Sequence, residues 1–186
     1  MAISASLVKE LRERTGLGIL DCKNALVGSD GDMELAIDTL RKASGMKAAK
    51  KAGRIASDGL IGMKISEDGD TAVMVEVNCE TDFAARDENF LGFVKTVTDQ
   101  IFDSKETDIP ALLESGLESI REKLVQKIGE NCSVRRAEFF EGSIASYIHT
   151  NGKIGVLVSM EGGNSELGRD IAMHIAATSP SVVSPD

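Results

Sequence analysis

Apolar positions along the chain fall first into three helical stripes. Ser4 or Ser6 offers a cap to a helix carrying Leu7, Val8 and Leu11, which Thr15-Gly16 ends. A second helix begins near Ile19 and carries Leu20, Cys22, Ala25 and Leu26 before Gly28. A third starts after Asp32, with Leu35, Ile37 and Leu40 before Gly45. None can bury its stripe alone, so the three are expected to pack together near the lower size limit for independent folding. Residues 47–54 then hold four positive charges and no negative one among Ala and Gly, the composition of a solvated linker.

Beyond Gly59 the period changes. Residues 60–65 and 71–79 bracket Glu67-Asp68-Gly69-Asp70 and read as a β-hairpin, with Val73, Val75 and Val77 alternating along its second arm. Phe90, Phe93, Val94, Val97 and Ile101 follow at spacings of three and four, a helix burying one stripe. Ile109-Pro110 interrupts that pattern. A further helix carries Leu117, Ile120, Leu124 and Ile128 until Gly129. Residues 134–140 and 143–149 read as strands joined tightly at Glu141-Gly142. Asn151-Gly152, which suits a type I′ turn, leads to a strand over 154–160. Gly162-Gly163-Asn164 precedes a last helix with Leu167, Ile171, Ile175 and Ala176, and Pro180 opens a short tail. The sum is an α+β chain: a three-helix module over 1–45, a basic linker over 46–59, and a core of antiparallel strands packed with helices over 60–186.

The strand-to-helix corner is the awkward part. Asp82 is hydrophilic, Phe83 is large and apolar, and the two are neighbours where a backbone normally runs over the surface. Either Asp82 or Asp87 caps the next helix while Phe83 tucks back as a staple, burial contributing roughly 1.5–3 kcal/mol. Or Phe83 projects as an anchor for another protein.

Composition narrows the chemistry. A net charge of −9 argues against nonspecific nucleic-acid binding, although the first 55 residues hold ten basic against seven acidic side chains. No apolar run approaches a membrane span and no signal peptide is evident, so a cytoplasmic protein is expected. Cys22, Cys79 and Cys132 are odd in number and far apart, and read as buried thiols. Gly16-Leu17-Gly18 lacks the length and Lys-Ser/Thr ending of a phosphate loop, and neither histidine has metal-motif spacing. A Cys79 nucleophile with His149 as base is imaginable, but a cysteine in an apolar strand reads as inert packing. His149 stands beside the predicted turn, and His174, among Ile171, Ala172, Met173 and Ile175, reads as a helix residue in or near the core.

Several segments resemble one family in order along nearly the whole chain. Leu11-Arg12-Glu13-Arg14-Thr15-Gly16, Asp21-Cys22-Lys23, Val75-Glu76-Val77-Asn78-Cys79-Glu80-Thr81-Asp82-Phe83 and Lys127-Ile128-Gly129-Glu130-Asn131 are similar to bacterial elongation factor Ts. So are Ile154-Gly155-Val156-Leu157-Val158 and Ile171-Ala172-Met173-His174-Ile175-Ala176-Ala177. The resemblance implies a ubiquitin-associated-like module and a guanine-nucleotide exchange factor for elongation factor Tu. It implies no covalent chemistry and no cofactor of the chain's own, GDP, GTP and magnesium being held by the partner. In that family the segment matching Thr81, Asp82, Phe83 and Ala84 pushes its aromatic ring between helices of the GTPase and disturbs the magnesium site. Arg12, Ile19, Leu20, Lys23, Ile128, Gly129 and His149 would complete the contact. No membrane and no direct nucleic-acid partner is implied.

Two departures bear on this. Ala84 stands where the family usually has Val, and Ile19-Leu20 where many relatives have Met. Many members also continue into a second core half and a coiled coil, whereas this sequence ends at Pro185-Asp186. The chain is then a fragment or a short form that pairs as a homodimer. The competing classes are a docking fragment or adaptor that binds the partner without accelerating exchange, and an RNA-binding accessory using the basic linker, which would show strongly salt-dependent RNA affinity.

Overall fold

The computed structural model describes residues 3–183, so Pro185 and Asp186 lie outside the described residues. Ser4 stands in extended backbone and its hydroxyl accepts from the Leu7 N–H at 3.2 Å, opening α1 (Ala5–Thr15), which Gly16 closes at φ 71°. Gly18 precedes α2 (Ile19–Gly28), and the Asp32 carboxylate caps α3 (Met33–Lys51) by accepting from the Leu35 N–H at 2.9 Å. Val8, Leu11, Leu17, Cys22, Ala25, Leu26, Ala36 and Leu40 form one buried cluster among these helices. Leu20 and Leu35, assigned to the stripes by spacing, instead face solvent.

The end of α3 also differs from the sequence reading. The helix runs through Gly45 to Lys51, so residues 46–51 of the supposed linker are helical. A glycine costs about 1 kcal/mol in a helix interior. Here the Ala- and Lys-rich stretch that follows favours the helix, and Ser44 and Ala48 are buried on either side of the glycine.

Strands β1 (Asp58–Ile65), β2 (Thr71–Cys79) and β3 (Cys132–Glu141) form an antiparallel sheet in the order β1-β2-β3. Leu60 opposes Val77, Val77 opposes Val134, and the register shifts between Glu76 and Val77. The inward face of β2 carries Val73, Val75, Val77 and Cys79, as the alternation predicts. After a single turn, α4 (Asp82–Ala85), the covering helix α5 (Glu88–Ser104) buries Phe90, Phe93, Val94, Val97 and Ile101. Asp108 caps α6 (Ile109–Leu112), with Pro110 in its first turn. Residues 113–117, where Gly116 takes φ 117°, lead into α7 (Glu118–Ile128). Leu124 and Val125 are the buried face of α7. Ile120, placed in that stripe by spacing, is exposed.

The last third departs most from the local reading. The strands on either side of Glu141-Gly142 do not pair with each other: β3 pairs with β2, while β4 (Ile144–Ile148) pairs with β5 (Gly155–Ser159) in a separate two-stranded sheet. The connection is held by the hairpin tip instead, Gly142 donating to the Asp70 carbonyl and Ile144 to the Gly69 carbonyl, both at 2.9 Å. Of Asn151-Gly152 only the glycine has positive φ, at 68°. The loop is therefore longer than a type I′ turn, and its Gly152 carbonyl accepts from the Ile61 N–H at 2.7 Å, which pulls it onto the edge of β1. Asn164 caps α8 (Ser165–Thr178), which packs on this small sheet through Gly168 and Ala172. His174 lies on its exposed side, not in the core. Among the described residues no helix is long and apolar enough to cross a membrane.

Candidate functional site

The corner after β2 is a rigid single turn. Thr81, extended at φ −131° and ψ 158°, caps it: its hydroxyl accepts from the Ala84 N–H at 3.3 Å. The same hydroxyl donates to Glu130 Oε1 at 2.7 Å, and the Thr81 N–H donates to Glu130 Oε2 at 3.0 Å. Glu80 is held in turn, its Oε1 accepting from the Asn131 N–H at 2.6 Å. A turn clamped this way has a fixed rotation. Ala84 and Ala85 point into the core, Asp82 pairs with Arg86 at 2.9 Å on the surface, and Phe83 stands 80% exposed.

That exposure removes the staple reading. The next helix is capped by Asp87, whose Oδ1 accepts from the Asn89 N–H at 2.8 Å, and Asp82 takes no part in it. Ala84 and Ala85 occupy the inward positions against β1 and β2, so Phe83, preceding them, is turned outward. The fold forgoes roughly 1.5–3 kcal/mol of possible burial there.

Glu130 links the corner to the end of α7. Gly129 closes that helix at φ 83° and is exposed, Ile128 is half-buried against the sheet core, and Lys51 of α3 donates to the Gly129 carbonyl at 2.6 Å. Ile19 and Leu20, 62% and 71% exposed, begin α2 on the other side of that junction. A shallow cleft of about 420 Å³ is lined by Arg12, Gly18, Ile19 and Asp21 from the helical part and by Gln126 and Lys127 from α7. Lys23 is exposed one turn further along α2.

His149 approaches from a different element. It is half-buried at the end of β4, its ring edge-on to Tyr147 at 6.5 Å, with Nδ1 accepting from the Asn151 N–H at 3.4 Å. Its loop is tied to β1 by Lys153 and Asp58, 2.8 Å apart, and Asp58 opposes Cys79 in the sheet. That ion pair and the Gly59 N–H hold the Asp58 carboxyl below the usual range. Hydrogen bonds thus join Thr81 to Glu130, and a cleft joins Arg12 and Ile19 to α7. His149 stands apart from that junction, its loop tied to β1 by the Lys153–Asp58 pair and by the Gly152 carbonyl.

Sequence reasoning missed three contributors: the Glu130 clamp on Thr81, the Glu80 bond to Asn131, and Asp21, which accepts from Gln126 at 3.1 Å across the two parts. Each joins residues about 50 or more positions apart, so no local pattern carries them. A thiol catalyst finds no support. Cys79 is buried, its Sγ lies 3.2 Å from the Thr81 carbonyl, and burial, helped by Glu130, pushes its thiol up to about 11. Among the described residues no group of three or more His, Cys, Asp or Glu could hold a metal ion.

Comparison with known proteins is consistent along the chain. The elongation factor Ts of Hahella chejuensis is 61% identical over 186 residues, covering 100% of this chain and 65% of that protein. The Saccharophagus degradans protein of the same name is 58% identical, over 98% of this chain and 64% of its own length. The one from Arthrospira platensis is 53% identical, over 99% and 77%. The chain therefore spans less than two thirds of the first two relatives. A family model described as Elongation factor TS matches residues 80–186, from the residue before the Thr81 clamp onward, and with those identities it shows that the chain belongs to the elongation factor Ts family.

Proposed function

We propose that this chain is a guanine-nucleotide exchange factor that acts in the cytoplasm on elongation factor Tu during translation, by binding and without covalent chemistry. The observation that carries the reading is Phe83, an aromatic side chain held 80% exposed on a turn that Glu130 clamps at its first residue, Thr81, through two hydrogen bonds. An exposed apolar ring on a rigid support has little conformational entropy to lose on entering a partner's groove. In this reading Phe83 is the wedge, Asp82 and Thr81 set its direction, and Ala84 backs it. Ile19 and Leu20 form a second apolar contact with Arg12 and Lys23 beside them, and Ile128, Gly129 and His149 complete the surface. Residues 5–51 act as a ubiquitin-associated-like module.

GDP, GTP and magnesium stay with the partner. Magnesium requires near-octahedral ligands while bridging nucleotide phosphates, so a wedge that displaces its supporting loops weakens the nucleotide without touching it. Linkage requires the reverse as well: returning nucleotide weakens the factor's own binding by the same ratio, and the cycle closes.

The test is the release rate of fluorescent GDP from elongation factor Tu at fixed magnesium, with this chain and with its Phe83→Ala variant. Marked acceleration that the variant loses is the expected result. Complex formation with no acceleration would instead make the chain a docking fragment whose exchange activity requires more of the relatives' length.

A further inference from the structure

The β2–β3 ladder ends on two cysteines. Cys79 and Cys132 are register partners in neighbouring antiparallel strands, at the end of the sheet that carries the corner. Directly opposed Cα atoms lie about 4.5 or about 5.5 Å apart, depending on whether the pair is hydrogen-bonded. Both spacings fall within the roughly 4.4–6.8 Å that a disulfide spans. The two thiols are free and buried, whereas Cys22 lies in the other buried cluster, among the helices.

Each thiol also touches the clamp. Cys79 Sγ is 3.2 Å from the Thr81 carbonyl and Cys132 Sγ 3.8 Å from the Glu130 carbonyl, and Thr81 and Glu130 share two hydrogen bonds. A covalent link between the sulfurs would run parallel to that pair of hydrogen bonds. We propose that Cys79 and Cys132 form a disulfide under oxidising conditions, and that this bond locks the turn bearing Phe83. The proposal concerns the turn itself and does not depend on the exchange reading.

The chemistry is thiol–disulfide exchange with a low-molecular-weight disulfide as oxidant. One cysteine loses its proton and its sulfur displaces a small thiolate, giving a mixed disulfide. The second cysteine loses its proton and displaces the other small thiolate. One S–S bond forms and one breaks, the protein loses two electrons, the small disulfide gains them, and its two thiolates take up the two protons.

Burial controls the rate. It pushes Cys79 up to about 11 and Cys132 up to about 12, with neighbouring Glu130 adding to both, so in the closed protein the sulfurs remain protonated and unreactive. Exchange therefore waits until the bonds from Thr81 to Glu130 and from Asn131 to Glu80 part. The pair is reduced at rest and captured when the corner opens.

The experiment equilibrates the full chain with oxidised and reduced glutathione over a range of ratios, alkylates free thiols, and maps peptides by mass. A linked Cys79–Cys132 peptide is expected at the oxidising end, with Cys22 alkylated, and the same link is expected in Cys22→Ser. In the linked protein, amide exchange over residues 81–85 should slow by about fivefold or more, since opening of the corner is then constrained. Cys132→Ala should abolish the link and leave Cys79 alkylated or as a mixed disulfide; should that variant not fold, the wild-type peptide map still decides. Recovery of both cysteines only as alkylated or mixed-disulfide species across the range would overturn the pairing. A linked peptide with unchanged amide exchange at 81–85 would overturn the lock.

Discussion

Two phenylalanines seven residues apart have opposite surroundings. Phe90 is fully buried on the inner face of α5, while Phe83 stands in solvent. Phe90→Ala should cost about 3–5 kcal/mol through lost transfer energy and the cavity left behind. Phe83→Ala should leave stability within about 0.5 kcal/mol, as exposed substitutions do. Urea denaturation of the two variants separates a residue the core needs from one it does not, and a large loss at Phe83 would mean that the ring packs in solution. Titration gives a second residue-scale expectation. The Lys64 and Lys95 hydrogen bonds lower Asp99, and the Arg121 hydrogen bond lowers Glu118. At Glu76 burial alone would raise the carboxyl, but Asn78, Arg136 and Arg135 together bring it below its usual value. A carboxylate lowered in the folded state contributes stability above its unfolded pKa, and that contribution disappears as pH falls through the folded one. Cys79 and Cys132 are raised, so their contribution is present below the ordinary thiol value of 9.0 and fades as pH climbs toward about 11 and about 12. The urea midpoint should therefore be flat from about pH 5 to pH 8, falling below about pH 4 and again above about pH 9. Cys79→Ala should shrink the alkaline fall.

At the scale of elements, helices and strands with one buried face were legible in the sequence because their apolar periods are their reason for existing. The α5 stripe and the inward valines of β2 are such cases. What local pattern could not supply was pairing. Glu141-Gly142 looks like a hairpin turn, yet β3 has a better neighbour in β2 and β4 in β5, and that choice is made by contacts distant in sequence. Asn151-Gly152 has the composition of a tight turn, but the loop is recruited by the edge of β1 through the Gly152 carbonyl. The candidate site divides the same way: Phe83 was conspicuous as an oddity, whereas its Glu130 clamp was invisible. Glycine 62 is a further long-range fact. A Cβ there would lie 2.1 Å from Thr98 Oγ1 and 2.9 Å from Val75 Cγ1, so the bare backbone is what lets α5 sit on β1. Thr98 is buried and its hydroxyl already donates to the Val94 carbonyl at 2.7 Å. Gly62→Ala should cost about 1–3 kcal/mol by overpacking. Amide exchange should rise in α5 more than in α7, and equal protection in both would show that the helix absorbs the methyl group.

For the whole molecule, the question is how Ile19 and Leu20 are held at a fixed spacing from Phe83. The buried cluster of α1–α3 and that of the sheet are separate, and α3 belongs to both, through Ala36 and Leu40 at one end and Ala48 at the other. The joint is otherwise polar. Asp21 meets Gln126 at 3.1 Å and Lys47 at 3.4 Å, Ser44 bonds Gln126, and Arg54 lies 3.6 Å from Glu80. The two ion pairs among these, Asp21 with Lys47 and Arg54 with Glu80, are partly exposed and contribute about 0–1 kcal/mol each, which is too little to fix an orientation. Asn131 differs because it is buried and bonds three residues at once: its side-chain amide donates to the Arg54 carbonyl at 2.8 Å and the Ala52 carbonyl at 3.4 Å while its own N–H holds Glu80. One residue thus fastens the end of α3 and the Phe83 corner to the same point. Asn131→Ala keeps the N–H bond but strips the carbonyls of their donor, for an expected loss of about 1–3 kcal/mol. If orientation rests on this point, amide exchange should rise in α3 and residues 52–57 while β2 and β3 keep their protection. On the exchange-factor reading proposed above, affinity for elongation factor Tu should then fall further than in Lys47→Ala, which removes only the exposed pair with Asp21. Equal effects of the two substitutions on affinity would place the orienting contact in the ion pairs, and uniform loss of protection across both clusters would make the chain a single cooperative unit in which no joint exists to be loosened.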